Sequence, residues 1–248
     1  MNTCRRVLAA LATALLCHGL FTAAVASMAY ALLAGLQIGI GARLGLGDAA
    51  GRVANLLLVL QFPLVHSGLL SGRGRRWLVR LSPFGHGSTL AISTYVVIGS
   101  LQLLAAFWLW TPSGTVWHEP TGIAGVYQYA LFAAAWLFLI KALADAGLAV
   151  QSGAAGWWAL LRNRAVDYGP MPTTGLFARC RQPIYFGFAA VLWTAPTWSP
   201  DWLFLCIGWS AYCVLGPRLK EARWEGLFGE HFRAYRTGVP YFVPRIRR

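Results

Sequence analysis

Four stretches of this chain run for about the length of a membrane-spanning helix or longer without one Asp, Glu, Lys or Arg: Val7–Gly41, Val53–Ser71, Leu90–Trp110 and Ile123–Ile140. A helix needs roughly 20 apolar residues to cross the hydrocarbon core of a bilayer. Backbone polar groups in lipid must be paired within the segment, which leaves helices as the structure for uncharged runs of this length. Two shorter apolar runs, Pro183–Thr197 and Trp202–Pro217, flank the turn-like Trp198-Ser199-Pro200-Asp201 and read as a helical hairpin. With 57% hydrophobic and 12% charged residues, the composition departs from that of water-soluble domains. The expected fold class is all-α: a polytopic integral membrane helical bundle of five to six transmembrane helices, the last two a hairpin, followed by a cytosolic amphipathic C-terminal helix. The 248 residues read as a single domain, with N-terminal transmembrane helices over 7–150 and the hairpin and tail over 171–248.

A net charge of +13 would point to nucleic acid in a soluble protein. Here the position of the charges decides otherwise. With six crossings and a cytosolic amino terminus, 19 of the 21 basic residues fall on the cytosolic side, including Arg5, Arg6, Arg73, Arg75, Arg76, Arg80 and the eight from Arg218 to Arg248; Arg43 and Arg52 fall outside. That asymmetry is the positive-inside bias of a membrane protein. No nucleic-acid partner is expected, and membrane lipid is.

The start of the chain, with Arg5-Arg6, an apolar core and small residues from Ala24 to Ser27, resembles a secretory signal. Cleavage there would leave too few apolar residues before Arg43 to cross, so an uncleaved first helix is expected. The five cysteines form no CxxC pair and no His/Cys ligand spacing, so no metal site is expected. No glycine-rich loop follows a strand, which argues against a nucleotide fold of the Rossmann or P-loop kind.

Several polar residues lie in or near the spans: Gln37, Gln61, His66, Ser67, Gln102, Gln128, Lys141 and Asp145. Such groups face other helices or a water-filled cavity. His66 reads either as a substrate contact or as an interhelical hydrogen bond, and the spacing of Lys141 and Asp145 suits an ion pair on one helix face.

The stretch Gly175–Gly187, GLFARCRQPIYFG, sets a guanidinium at the mouth of an apolar helix. Pro183 suits a first helical turn, with Gln182 at the cap. Free N–H groups at a helix start hold anions, and Arg181 adds a planar fork for carboxylate or phosphate. An arginine snorkelling to lipid headgroups is the alternative, and both readings stand on this stretch alone. Downstream, Glu221, Trp224, Phe228, Phe232 and Tyr235 recur at the spacing of one helix face, although Gly229 interrupts it. Glu221 leads an otherwise aromatic stripe and needs a partner, with Arg218, Arg181 or a ligand as candidates.

These two motifs together resemble the isoprenylcysteine carboxyl methyltransferase superfamily of membrane methyltransferases. The first carries Gly175, Arg181, Pro183, Tyr185 and Gly187; the second runs from Glu221 through Trp224, Phe228, Gly229, Phe232, Tyr235 and Arg236 to Val239-Pro240, with Pro244 beyond. Upstream, His66-Ser67, the STYV run from Ser93, the SLQLL run from Ser100 and the FWLWTP run from Phe107 to Pro112 are similar to the bacterial branch that includes methanethiol S-methyltransferases and NnrU-like proteins. The resemblance covers about Gln61 to Pro244. It departs from the superfamily pattern at Gln182, where histidine is usual, at Lys220, where a second glutamate is usual, and at Gly238, where a basic residue is usual.

The resemblance implies one membrane methyltransferase domain that uses S-adenosyl-L-methionine. Its expected cofactor-binding residues are Gly175, Leu176, Arg181, Gln182, Pro183, Tyr185, Gly187, Glu221 and Tyr235. Arg236, His66 and Glu221 are the expected catalytic residues, Arg236 and His66 by favouring an anionic nucleophile. The expected reaction is methylation of a small thiol such as methanethiol to dimethyl sulfide, with a lipid-like carboxylate as second acceptor. A non-catalytic NnrU-like membrane protein and a reductase binding NADPH are the rival classes.

Overall fold

The structure, a computed structural model, describes residues 3–45 and 48–245; Arg247 and Arg248, counted above among the cytosolic charges, lie outside the described residues. Among the described residues, five helices are long and apolar enough to cross a membrane: α1 (Thr3–Leu33), α2 (Asp48–Leu69), α4 (Gly87–Trp108), α5 (Gly122–Asp145) and α9 (Pro200–Phe228). Between and after them come α3 (Gly72–Leu81), α6 (Leu148–Gln151), α7 (Ala154–Arg162), α8 (Pro183–Trp193) and α10 (Glu230–Gly238). Among the described residues no strand forms beyond a single antiparallel bridge, His118 with Trp198. The chain is a multi-pass helical membrane protein.

It divides into two compact units. The first comprises residues 1–30, 39–111 and 147–169. Within it α4 packs against α2, α3 and α7. Buried Ala9, Ala10, Leu90 and Leu160 form a core under Trp157 and Leu161. The polar residues in these spans pair across helices, as the cost of an unpaired group in lipid requires. Gln61 and Gln102 exchange bonds between α2 and α4, each amide nitrogen donating to the other's backbone carbonyl at 3.0 and 2.9 Å. Asn55 likewise donates to the Thr111 carbonyl and accepts from the Thr111 N–H. His66 stacks on Phe62 and lies against Tyr95.

The second unit comprises residues 31–38, 112–146 and 170–248. Here α5 packs on α8, α8 on α9, and α9 on α10. Gly187 makes the first contact close, since a Cβ there would come 3.0 Å from the Leu139 backbone.

The expected hairpin differs from the observed one in two respects. First, α8 has 11 residues and is therefore about 16 Å long, roughly half the thickness of a hydrocarbon core. Its flanks complete the passage. On one side the Leu176 N–H donates to Asp145 Oδ2 at the end of α5. On the other, the Trp198 backbone pairs with His118, just before α5 begins. The chain from Leu176 to Trp198 thus runs the length of α5 in the opposite direction, with Cys180, Gln182, Ala195 and Thr197 buried along the way. Non-helical backbone is tolerated at such depth where protein covers it.

Second, α9 continues through Pro217 to Phe228, so Glu221 sits on the same rod as the apolar span. Gly229, at φ 51° and ψ −123°, then turns the chain into α10. The aromatic stripe is therefore two arms closed on each other and not a single helix face. Trp224 on α9 meets Phe232 on α10 edge to face at 6.1 Å, and Phe232 is fully buried. The positive φ accounts for the break, because few residues other than glycine adopt it.

At the opposite end of α9, buried Asp201 accepts from Gln37 Nε2 at 3.1 Å and from the Ser113 N–H at 2.9 Å, and also from the Ser113 hydroxyl. Asp201→Ala should cost about 2–3 kcal/mol of stability, the range for hydrogen bonds to a charged group whose donors are left behind. Asp201→Asn, which keeps an acceptor, should cost less. Thermal unfolding in one detergent compares the two.

Candidate active site

Pro183 begins α8 because its missing N–H would have no helical partner there and its fixed φ suits the first turn. Gln182, at the cap position and 1% exposed, does not cap the helix with its side chain. It reaches across to α9 instead, where its amide nitrogen donates to Glu221 Oε1 at 2.8 Å. Arg181 takes the same carboxylate in a fork, with Nε to Oε1 at 2.8 Å and Nη2 to Oε2 at 3.3 Å. Both members of this pair are 12% exposed. Glu221, the acid that needed a partner, therefore has two, drawn from a motif some 40 residues upstream.

Arg181 also ties down the tail. Its Nη1 donates to the carbonyls of Arg236 and Val239 at 2.9 and 2.8 Å, and its backbone N–H donates to Pro240 at 2.9 Å. The Tyr241 ring lies 5.4 Å from the guanidinium. Bidentate carboxylate geometry is what guanidinium provides and ammonium does not. One arginine thus fastens α8, α9 and the segment after α10 together.

Lys220 is the site residue that sequence reasoning passed over, treating it only as a departure from the family pattern. Its ammonium bonds Gln182 Oε1 at 3.3 Å and stands 4.2 Å from the Trp224 ring, 5.5 Å from Phe177 and 5.9 Å from Tyr185. Aromatic faces around a cation stabilise it through the ring quadrupole. The available signal was the i,i+4 spacing of Lys220 and Trp224 on one helix. Two positions that depart from the superfamily pattern, Gln182 and Lys220, are bonded to each other.

The remaining expected residues fall in different places. Gly175, at φ 60°, lets the chain pass over Asp145, whose carboxylate would be 2.4 Å from a Cβ, and Leu176 binds that carboxylate through its N–H. Lys141 pairs with Asp145 on α5, the ion pair anticipated from their spacing. Tyr235 donates to the Phe177 carbonyl at 2.7 Å. The guanidinium of Arg236 is held by Glu225 at 3.0 Å, so only its carbonyl meets Arg181. His66 belongs to the first unit. Cys180 is buried beside Gln182. Burial pushes the Tyr235 and Tyr241 hydroxyls up, so both act as neutral donors.

In sum of chemistry, a paired carboxylate and a caged ammonium stand at the start of a helix that no side chain caps. Uncapped N–H groups suit an anionic group, the aromatic rings suit a cation, and Glu221 offers lone pairs to hydroxyl or ammonium donors. A zwitterionic nucleotide with a cationic sulfur has all these parts. Among the described residues no group of three metal-ligating side chains comes together.

No family model matches the chain, and no solved structure matches it. Six curated proteins do, and all carry the name methanethiol S-methyltransferase. Methanethiol S-methyltransferase 2 of Bradyrhizobium diazoefficiens is 28% identical over 85% of this chain and 79% of its own length. The Crocosphaera subtropica protein is 27% identical over 75% of this chain and 71% of its own, and the Pseudomonas deceptionensis protein 26% over 79% and 74%. The likeness agrees with the branch that the upstream motifs indicated: over three quarters or more of its length, this chain is similar to methanethiol S-methyltransferases.

Proposed function

We propose that the chain is an S-adenosylmethionine-dependent membrane methyltransferase that converts a small thiol, methanethiol foremost, to its methyl thioether. Its site faces the cytosol of a bacterial cytoplasmic membrane, and both termini lie on that side. The observation that carries this reading is the Arg181–Glu221–Gln182–Lys220 cluster, in which two motifs distant in sequence close around one helix start. The charge asymmetry supports the orientation, and the names of the relatives support the acceptor.

When bound, S-adenosylmethionine supplies an electrophilic methyl group on a positively charged sulfur. The uncapped amides of α8 favour its carboxylate with the positive charge of Arg181 beside them, the Arg181 fork itself being closed on Glu221, and Glu221 favours its amino or ribose groups. Lys220 supplies the positive charge that stabilises an acceptor thiolate, because the guanidinium of Arg236 is engaged with Glu225. Transfer between a cationic and an anionic sulfur neutralises charge, so a pocket sealed from water favours it. Phe177, Tyr185 and Trp224 provide that seal and align the partners.

Cells expressing the protein and fed methanethiol should release dimethyl sulfide into the headspace, and cells with empty vector should not. In parallel, S-adenosylmethionine is titrated calorimetrically into wild type, Arg181→Ala and Glu221→Ala, with an expected loss of affinity of about tenfold or more in each variant, the scale of a charge-assisted bond. Donor binding without dimethyl sulfide would overturn the acceptor. Equal affinity in all three proteins would overturn the site.

A further inference from the structure

The arginines of α3 form a cluster that the proposed chemistry leaves unused. Arg73, Arg75, Arg76 and Arg80 are all exposed on this ten-residue helix. Gly74 and Leu78, four apart, are buried against the rest of the first unit. Beside that buried stripe, Trp77 and Leu81 form an apolar stripe, each 56% exposed, and Arg73, Arg76 and Arg80 follow it around the helix. Arg80 lies over the Trp77 ring at 5.6 Å. An aromatic and a leucine beside three guanidiniums is the profile of a helix lying in a membrane interface.

The helix is held where a bilayer surface would meet it. Ser71 accepts from the Gly74 N–H at 3.1 Å and donates to the Gly68 carbonyl at 2.7 Å, which folds α3 sharply off the end of the span α2. Gly74 permits the turn, since a Cβ would come 2.1 Å from the Gly68 carbonyl. Charge balance supplies the second argument. No Asp or Glu occurs from residue 49 to residue 118. Among the described residues every ion pair lies in the second unit, and none involves these four arginines. Among the described residues no carboxylate of the chain pairs with them.

An apolar groove lies at the turn that follows the helix. Leu8, Ala9 and Ala12 of α1 and Phe84, three residues past α3, line it together with Arg5, and its volume is about 440 Å³. Leu8 and Phe84 are exposed, which costs free energy in water but not against an acyl chain.

We infer that α3 and this groove form a binding site for an anionic phospholipid, with its phosphate on the α3 arginines and Arg5 and an acyl chain against Leu8, Ala12 and Phe84. Trp77 then sits at headgroup level, as interfacial tryptophans do. The site is separate from the methyl-transfer cluster and does not depend on that assignment.

The test is native mass spectrometry of delipidated protein in neutral detergent, titrated with dioleoyl phosphatidylglycerol or dioleoyl phosphatidylcholine. Wild type should bind the anionic lipid about tenfold more tightly than the zwitterionic one, given the attraction of each interfacial arginine to anionic headgroups. Arg73→Gln/Arg75→Gln/Arg76→Gln/Arg80→Gln should lose that preference, with Arg76→Gln/Arg80→Gln losing part of it should the fourfold variant fail to insert. Phe84→Ala, which keeps every charge, should weaken both lipids and leave the preference intact. Equal binding of the two lipids by wild type, or an unchanged preference in the arginine variants, would overturn the proposal. So would displacement of the lipid by millimolar inorganic phosphate, which would mark an anion site with no lipid component.

Discussion

Glu221→Ala should lower stability by about 3 kcal/mol and reduce methyl transfer to background. The carboxylate receives both arms of Arg181 and the amide of Gln182, and removing it leaves a guanidinium 12% exposed without its counter-charge. Breaking one side of a largely buried pair typically costs about 3–5 kcal/mol, because the remaining charge stays desolvated; the lower end applies here, since Arg181 keeps two carbonyl acceptors. Lys220 also loses a neighbouring negative charge, so the aromatic cage should loosen. Glu221→Gln preserves volume but has one acceptor for three donors, and should fall between. The decisive form is a double-mutant cycle with Arg181→Ala, read by unfolding in detergent. The double variant should be more stable than the sum of the single losses predicts, by about 1–3 kcal/mol. Strict additivity would mean that the pair observed here contributes nothing.

Gly175→Ala should have an effect of similar size by a different route. At φ 60° an L side chain is strained by about 1–2 kcal/mol. Its Cβ would also lie 2.4 Å from Asp145 Oδ2, the atom that receives the Leu176 N–H. The 3-10 turn Gly175–Ala178 must then lift from α5, and Phe177 and Tyr235, which are linked through the Phe177 carbonyl, move with it. A combined loss of about 3 kcal/mol follows when the charged hydrogen bond is included. Asp145→Ala removes the bond without the clash and should cost less. Lys141→Ala removes only a half-exposed ion pair and should cost under about 1 kcal/mol. The ranking Gly175→Ala, then Asp145→Ala, then Lys141→Ala, measured as midpoint temperatures, separates backbone strain from electrostatics.

Legibility from sequence followed the range of the forces involved. The spans of α1, α2, α4 and α5 were apparent because transfer to lipid depends on composition within one window and little on context. The pairing of Lys141 with Asp145 was apparent for the same reason, as both lie on one helical turn. The sixth passage was legible as one arm of a helical hairpin, but its helical extent was not: Pro183–Thr197 is apolar throughout, yet only 11 of its residues are helical. What ends α8 is the docking of Trp198 on His118 and of Ser199 on the Gly35 carbonyl, contacts between segments remote in sequence. In the tail the interruption at Gly229 was visible in sequence, but not the closing of the two arms on each other. The aromatic spacing fits a continuous helix, and the backbone of Gly229 folds that helix in two.

At the candidate site, Arg181 and Glu221 stood out as polar groups bordering apolar runs, but their mutual contact could not be read from a linear pattern, and Arg218 was an equal claimant. Arg181 also recognises carbonyls at Arg236, Val239 and Pro240, which any residue type would present. Such contacts leave no mark on residue identity.

By itself the sequence determined that this chain enters a membrane and which two short motifs carry polar chemistry. Those properties are sums of local transfer free energies, and local order suffices to state them. Only the tertiary structure decided that Gln182 and Lys220 bond each other, that Gly175 and Gly187 serve close packing, and that one guanidinium joins three segments. Such pairings depend on directional contacts of a few ångströms between residues tens of positions apart, and chain folding alone sets those distances.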